Sequence, residues 1–257
     1  MEKSTQLGLG LIAIGRAWGH DMAAPPPESE ARALLETAFE LGVKVYDTAP
    51  AYGTSERLLG AFLRTLTDDQ RRTIFVATKF GEHWNEDGTT RVDHSYDALM
   101  RSLDRSVEHL RDIDLLQVHK ASVAALLGED LKWALEGAQA MDIPQIGASV
   151  SDLEAGRLAI SMGFHWLQMP YNARSTVMEP LLAEAEAGNV HILTNRPFAT
   201  GALLVEAAPE AREAAMKAAF SAVLAQNKSG VVLTGTKSAA HLRESFTAFT
   251  ALTGEGA

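Results

Sequence analysis

VYDTAPAYGTSERLLG, residues 45–60, carries a strand, a tight connection and the start of a helix in one short run. Val45 to Asp47 reads as an apolar strand ending in a carboxylate. Pro50 and Gly53 punctuate the connection after it, and Thr54 or Ser55 is placed to cap a helix. Leu58, Leu59, Phe62, Leu63 and Leu66 then fall on a single helical stripe. Asp47 and Tyr52 share the connection without any evident structural duty, which makes them candidates for chemistry.

The same unit recurs along the chain. Apolar runs at 9–14, 43–47, 74–79, 115–119, 144–149, 166–170, 190–194 and 230–235 read as strands, several of them apolar throughout as in a parallel sheet covered on both faces. Between them lie amphipathic stripes, including Leu34, Leu35, Ala38, Phe39 and Leu41 ending at Gly42, and Leu99, Leu103, Val107 and Leu110. Further stripes occupy about 123–140, 151–162, 177–188, 209–226 and 238–250. Eight strand–helix pairs with short links predict a closed (β/α)8 TIM barrel, with residues 1–257 as a single domain. A doubly wound open sheet is the alternative topology.

Bulk properties narrow the function. An apolar fraction of 46% in 257 residues supports a sizeable core, and a net charge of −10 without a basic stripe argues against a nucleic-acid partner. The absence of cysteine removes disulfides, thiol nucleophiles and thiolate metal sites. The apolar run Leu7–Gly15 is too short to span a bilayer and lacks the flanks of a leader. The expectation is a soluble, cytoplasmic protein with no membrane partner, monomeric or weakly oligomeric.

In a barrel of this kind the active site lies at the carboxyl ends of the strands. Asp47 ends the second strand with Tyr52 in the loop beyond it, Lys79 ends the third, His119 the fourth and Ser149 the fifth, while Gln168 lies near the end of the sixth. Singly, these would be a turn residue, a solvated lysine and a loop histidine. Together they suit one reaction. A free phenol titrates near ~10 and is a poor acid at neutral pH, whereas a neighbouring ammonium stabilises the phenolate and lowers that value. A carboxylate keeps the lysine charged and aimed, and a neutral imidazole can orient a carbonyl oxygen. The set fits protonation of an oxygen as negative charge develops on it, as in hydride addition to an aldehyde or ketone.

The chain resembles an aldo-keto reductase. The matching segments are GLGLIAIG, YDTAPAYGTSERLLG, VATKFG, DLLQVHK, IGASVSD, LQMPYN, RPFATGAL and VVLTGTKSAAHLRES, in family order from about residue 7 to 247. The resemblance implies Tyr52 as general acid/base, Lys79 lowering its pKa, Asp47 pairing with Lys79, and His119 orienting the substrate carbonyl. It implies NAD(P)H bound across the barrel mouth without a Rossmann domain. The glycines of GLGLIAIG belong to the first strand and its flanks and open no helix, so they carry no phosphate-cradling role.

For the cofactor, Ser149 and Gln168 match the family residues that hold the nicotinamide carboxamide. Val150 stands where the family commonly has Asn, and Asn195 and Arg196 stand where an aromatic often stacks on the nicotinamide. Arg196 reads equally as a cofactor contact or a surface cation. GTKSAAHLRES resembles the segment that recognises the adenosine 2′-phosphate, with Lys237, Ser238 and Arg243 as partners and His241 where some relatives carry arginine. NADP(H) is thereby favoured over NAD(H). Trp18 and Trp84, on the loops after the first and third strands, are candidate substrate-pocket walls with His119. The cluster Glu82, His83, Glu86, Asp87, Asp93 and His94 matches no metal-ligand spacing and reads as a flexible polar loop, so no metal is expected.

Three functions fit these residues. The first is reduction of a small-molecule aldehyde or ketone at the expense of NAD(P)H. The second is a Schiff-base lyase using Lys79. The third is an NADP-binding sensor or regulatory subunit with little turnover, to which the departures at Val150 and Asn195 lend weight.

Overall fold

The structure, a computed structural model, describes residues 5–254. Its strands are β1 (Gln6–Gly10), β2 (Val45–Asp47), β3 (Phe75–Phe80), β4 (Glu82–Trp84), β5 (Thr90–Val92), β6 (Leu115–Val118), β7 (Ile146–Ser149), β8 (Trp166–Pro170), β9 (His191–Asn195) and β10 (Val231–Thr234). Eight of them close a parallel barrel in the order β1-β10-β9-β8-β7-β6-β3-β2, while β4 and β5 form a separate antiparallel hairpin. The predicted (β/α)8 barrel is what the chain adopts.

Two apolar layers hold it together. Inside the barrel, Val45, Ala77, Leu115, Leu193, Val231 and Leu233 pack around Phe75 and Trp166. The rings of Phe75 and Trp166 lie 5.4 Å apart, and Trp166 meets His191 at 4.7 Å. All three residues begin their strands, so this stack plugs the amino-terminal end and leaves the opposite end open for a site. Outside, the helical stripes cover the sheet. The helix Glu28–Glu40 buries Ala31, Leu34, Leu35 and Ala38 and stops where Gly42 takes a φ of +82°, a conformation in which glycine carries no Cβ penalty. Such apolar burial is worth about 1.5–3 kcal/mol for each fully enclosed large side chain, and it is the main force positioning the strands.

Two sequence expectations need correction. The first strand is Gln6–Gly10, not 9–14, and Ile12–Gly15 forms a helical turn. The whole run is apolar because both pieces are enclosed, Leu9 and Leu11 fully and Ile14 at 1% exposure. A continuous apolar run has no period from which to place a boundary. Residues 82–94 are also no flexible loop: β4 and β5 pair Glu82 with Val92 and Trp84 with Thr90 around a turn at Gly88. His83 and Asp93 tie the hairpin and its exit, and His94 ties it to the residue after β6. His83 Nε2 meets the Asp93 carbonyl at 2.9 Å, Asp93 accepts from Ser95, and His94 Nε2 meets the His119 carbonyl at 2.8 Å. Among the described residues no three acidic or histidine side chains converge as a metal set would.

Candidate active site

Strand register sets the first side chains. Lys79 lies opposite Gln117 across β3 and β6, Asp47 pairs with Gly10 across β2 and β1, and Ser149 pairs with Gln168 across β7 and β8. Lys79 is fully enclosed. Its Nζ donates to Asp47 Oδ1 at 2.6 Å and to the Thr48 carbonyl at 2.8 Å. Gln117 Nε2 donates to the other Asp47 oxygen at 3.0 Å, so the carboxylate is fixed from both sides.

Tyr52 is delivered by the 3-10 turn Pro50–Tyr52, which Pro50 starts with its fixed φ. The turn is locked against the loop after β1 by two glycines. A Cβ on Gly15 would fall 1.8 Å from the Tyr52 carbonyl, and one on Gly53, itself at φ +61°, would fall 2.2 Å from the Gly15 carbonyl. The expected cap is absent: Ser55 turns its hydroxyl to that of Thr48, and Thr54 makes no side-chain cap bond. The phenol ring receives Lys79 Nζ 4.8 Å from its centre and stands edge-on to His119, ring centres 5.7 Å apart. Asp47, Tyr52, Lys79 and His119 are thus one cluster.

The electrostatics differ in one respect from the sequence expectation. Burial pushes the Tyr52 phenol up, the Lys79 ammonium opposes this, and the phenol remains above its ordinary value. Lys79 therefore offsets desolvation without bringing the phenol down to neutral pH. Burial works against the Lys79 charge too, but Asp47 and Tyr52 outweigh it and hold the ammonium above its usual range. The His119 imidazole is held well below its usual value, first by burial and then by Lys79, Lys120, His94 and Arg16. It is neutral at physiological pH. Its Nε2 lies 3.2 Å from Glu82 Oε2, close but without the alignment of a hydrogen bond, while Nδ1, buried, has no partner among the described residues.

A cavity of about 940 Å³ opens above this cluster and is lined by Asp47, Tyr52, Glu82 and His119 at one end and by Lys237, Ser238 and His241 at the other. Trp18 and Arg196 border it as well, with the Arg196 guanidinium 5.6 Å from the Trp18 ring centre. Ser238 is the cap of the helix Ala239–Thr253, accepting from the His241 amide. Lys237 Nζ donates to the Ala23 carbonyl. The other expected contacts are not brought in. Ser149 and Gln168 do not line the cavity, and Arg243 turns away to Glu40 at 3.2 Å and Thr37 at 3.4 Å. Trp84 also lies outside the lining and approaches only through Arg16, whose guanidinium carbon is 5.2 Å from its ring centre. Asn195 borders the cavity with its Oδ1 buried and unpartnered.

Three site residues escape a reading by motif. Gln117, on β6, sits two positions before His119, which directly follows the strand, a signal that strand alternation alone could have given. Glu82 was submerged in an acidic cluster, and Arg16 comes directly after an apolar run that suggested only structure.

Residues 6–219 match the aldo/keto reductase family. The chain is 26% identical over 246 residues to L-galactose dehydrogenase of Arabidopsis thaliana, covering 88% of this chain and 72% of that protein. It is 32% identical over 143 residues to pyridoxal 4-dehydrogenase of Microbacterium luteolum, covering 45% of this chain and 39% of that protein. Among solved structures, a candidate aldo-keto reductase from Pseudomonas aeruginosa superposes with a TM-score of 0.80 at 26% identity, covering 96% of this chain and 90% of that one.

Proposed function

The chain belongs to the aldo/keto reductase family, and from that premise we propose that it reduces an aldehyde or ketone with NADPH, using Tyr52 as the proton donor. The observation that carries this reading is the enclosed chain Gln117–Asp47–Lys79 ending under the Tyr52 ring. A dinucleotide suits the cavity: its volume is on the scale of small-molecule sites, about 300–1,000 Å³, and it carries Lys237 and His241 toward phosphate and the unpartnered Asn195 oxygen toward an amide donor. When bound, the nicotinamide supplies a hydride to the carbonyl carbon.

The protein's own groups do the rest. As charge builds on the carbonyl oxygen, Tyr52 Oη gives it a proton, and the Lys79 ammonium stabilises the phenolate left behind. Asp47 and Gln117 keep the ammonium in place. His119, being neutral, offers a ring N–H to the same oxygen, with the Glu82 carboxylate 3.2 Å from its Nε2. In the reverse direction the Tyr52 phenolate takes the alcohol proton. The dehydrogenases among the relatives support reversibility.

Lys237 supports NADPH over NADH as the partner of a 2′-phosphate; Arg243, paired with Glu40, does not. The lyase reading is disfavoured, because an enclosed, protonated Lys79 amine is no nucleophile. The test monitors the loss of nicotinamide absorbance with NADPH and NADH over a panel of aldehydes and ketones. Turnover supports the reductase, and Lys237→Met raising KM for NADPH alone supports the 2′-phosphate contact. Tight NADPH binding with no turnover on any carbonyl would favour a sensor.

A further inference from the structure

We propose that Arg16 forms an anion-recognising subsite beside Tyr52, so that the preferred substrate is a carbonyl compound carrying a carboxylate or phosphate group. This rests on the reductase reading and names the substrate class for it. Arg16 lines the cavity and is anchored by one hydrogen bond, Nη1 to the Ala51 carbonyl at 3.1 Å, one residue from the proposed proton donor. Its guanidinium carbon lies 5.2 Å from the Trp84 ring centre and 6.0 Å from that of Trp18. Indole contact engages the face of a guanidinium and leaves its in-plane N–H groups for bidentate pairing with an oxyanion. Of its five donors, one is used among the described residues, and no described carboxylate lies within ion-pairing distance of it.

The surrounding charges agree. Asp47 is engaged by Lys79 and Gln117, and Glu82 by His119 and Thr90 with Lys120 Nζ 4.0 Å away. Lys79 and Lys120 are thereby matched against Asp47 and Glu82, which leaves Arg16 as the cation acting on His119 without a carboxylate partner among the described residues, and an anion beside it meets a favourable potential. The cofactor phosphates are poor candidates for this cation. Lys237 and His241 come after β10, whereas Arg16 is tied to the turn after β2 and the hairpin after β3, the other way around the barrel from β1, and it shares only the Trp18 ring with Arg196.

The test compares 4-carboxybenzaldehyde with 4-formylbenzamide, near-isosteric, different in charge and closer in carbonyl reactivity than a nitro analogue, on wild type, Arg16→Gln and Arg16→Lys. Wild type is expected to favour the carboxylate about 10- to 100-fold in kcat/KM, the range of one charge-assisted contact. Arg16→Gln should lose that preference through KM, and Arg16→Lys should retain part of it. An unchanged preference in Arg16→Gln, or a wild type that prefers the neutral aldehyde, overturns the subsite. So does a weakened NADPH affinity with substrate preference intact, which would put Arg16 on the cofactor. Calorimetry with benzoate and benzamide reads the subsite without turnover. Benzoate binding that Arg16→Gln abolishes upholds it even if neither aldehyde is reduced, in which case the reductase reading alone fails. Equal binding of benzoate to wild type and Arg16→Gln overturns it.

Discussion

Glu56→Gln exchanges a buried acid for a neutral side chain of the same shape. Glu56 is 4% exposed, accepts from Thr78 Oγ1 at 2.5 Å, and sits on the helix behind the Tyr52 turn. Burial pushes its carboxyl up to about 7, against the smaller opposing pull of Thr78, Ser106, Lys79 and Arg105. In the unfolded chain the group titrates near 4.5. Between those values the native carboxyl still holds a proton that the unfolded chain has released, so stability falls as pH rises through the window. At about 1.4 kcal/mol for each pH unit, the gap comes to about 3.5 kcal/mol, fully lost above pH 7. The glutamine variant has no such proton to release. Urea unfolding at pH 5, 6, 7 and 8 should find the two proteins within about 1 kcal/mol at pH 5 and the variant more stable by as much as about 3.5 kcal/mol at pH 8. An offset independent of pH, or one that widens toward acid, would refute the reasoning.

Asp47→Asn leaves the enclosed Lys79 without its counter-ion, and burial should then drive the amine neutral and remove the cation under Tyr52. Turnover should drop about 100-fold or more and stability by about 3–5 kcal/mol, with NADPH affinity largely kept; loss of cofactor binding in a folded variant would assign Asp47 a different task. Glu82→Gln removes the negative charge 3.2 Å from His119 Nε2, which repels an electron-rich carbonyl oxygen there, so KM for the carbonyl substrate should fall by about 3- to 10-fold; a rise would mean that Glu82 helps to orient the imidazole productively. Because His119 is held neutral and Tyr52 sits above its ordinary value, the rate of reduction should stay level through the usual histidine range. It should fall only in strong base as the phenol ionises, and alcohol oxidation should mirror this. A limb near pH 6.5 would show that His119 titrates during turnover.

The barrel was legible because its physics is repeated: each strand ends where an amphipathic stripe begins, and one miscounted boundary does not alter the topology. The boundary at β1 was not legible because Leu11 and Ile14 are as buried as the strand itself, so hydropathy has no edge there. The cluster Asp47, Tyr52, Lys79 and His119 could be read because each residue ends a strand or lies just beyond one, which places it at one mouth. Long side chains are another matter. Arg243 and Lys237 share one segment, yet the first turns to Glu40 and the second into the cavity, and sequence spacing does not encode that choice of direction. The β4–β5 hairpin hid in a polar stretch because three-residue strands offer too few positions for alternation to register, and Glu82 was hidden with it.

The most direct test is single-turnover reduction of an aldehyde by NADPH in wild type and Tyr52→Phe, with NADPH affinity measured alongside. With Tyr52 as the proton donor, the rate should fall by about 10²- to 10⁴-fold while the cofactor binds as before. Reduction by the variant at the wild-type rate would contradict that assignment.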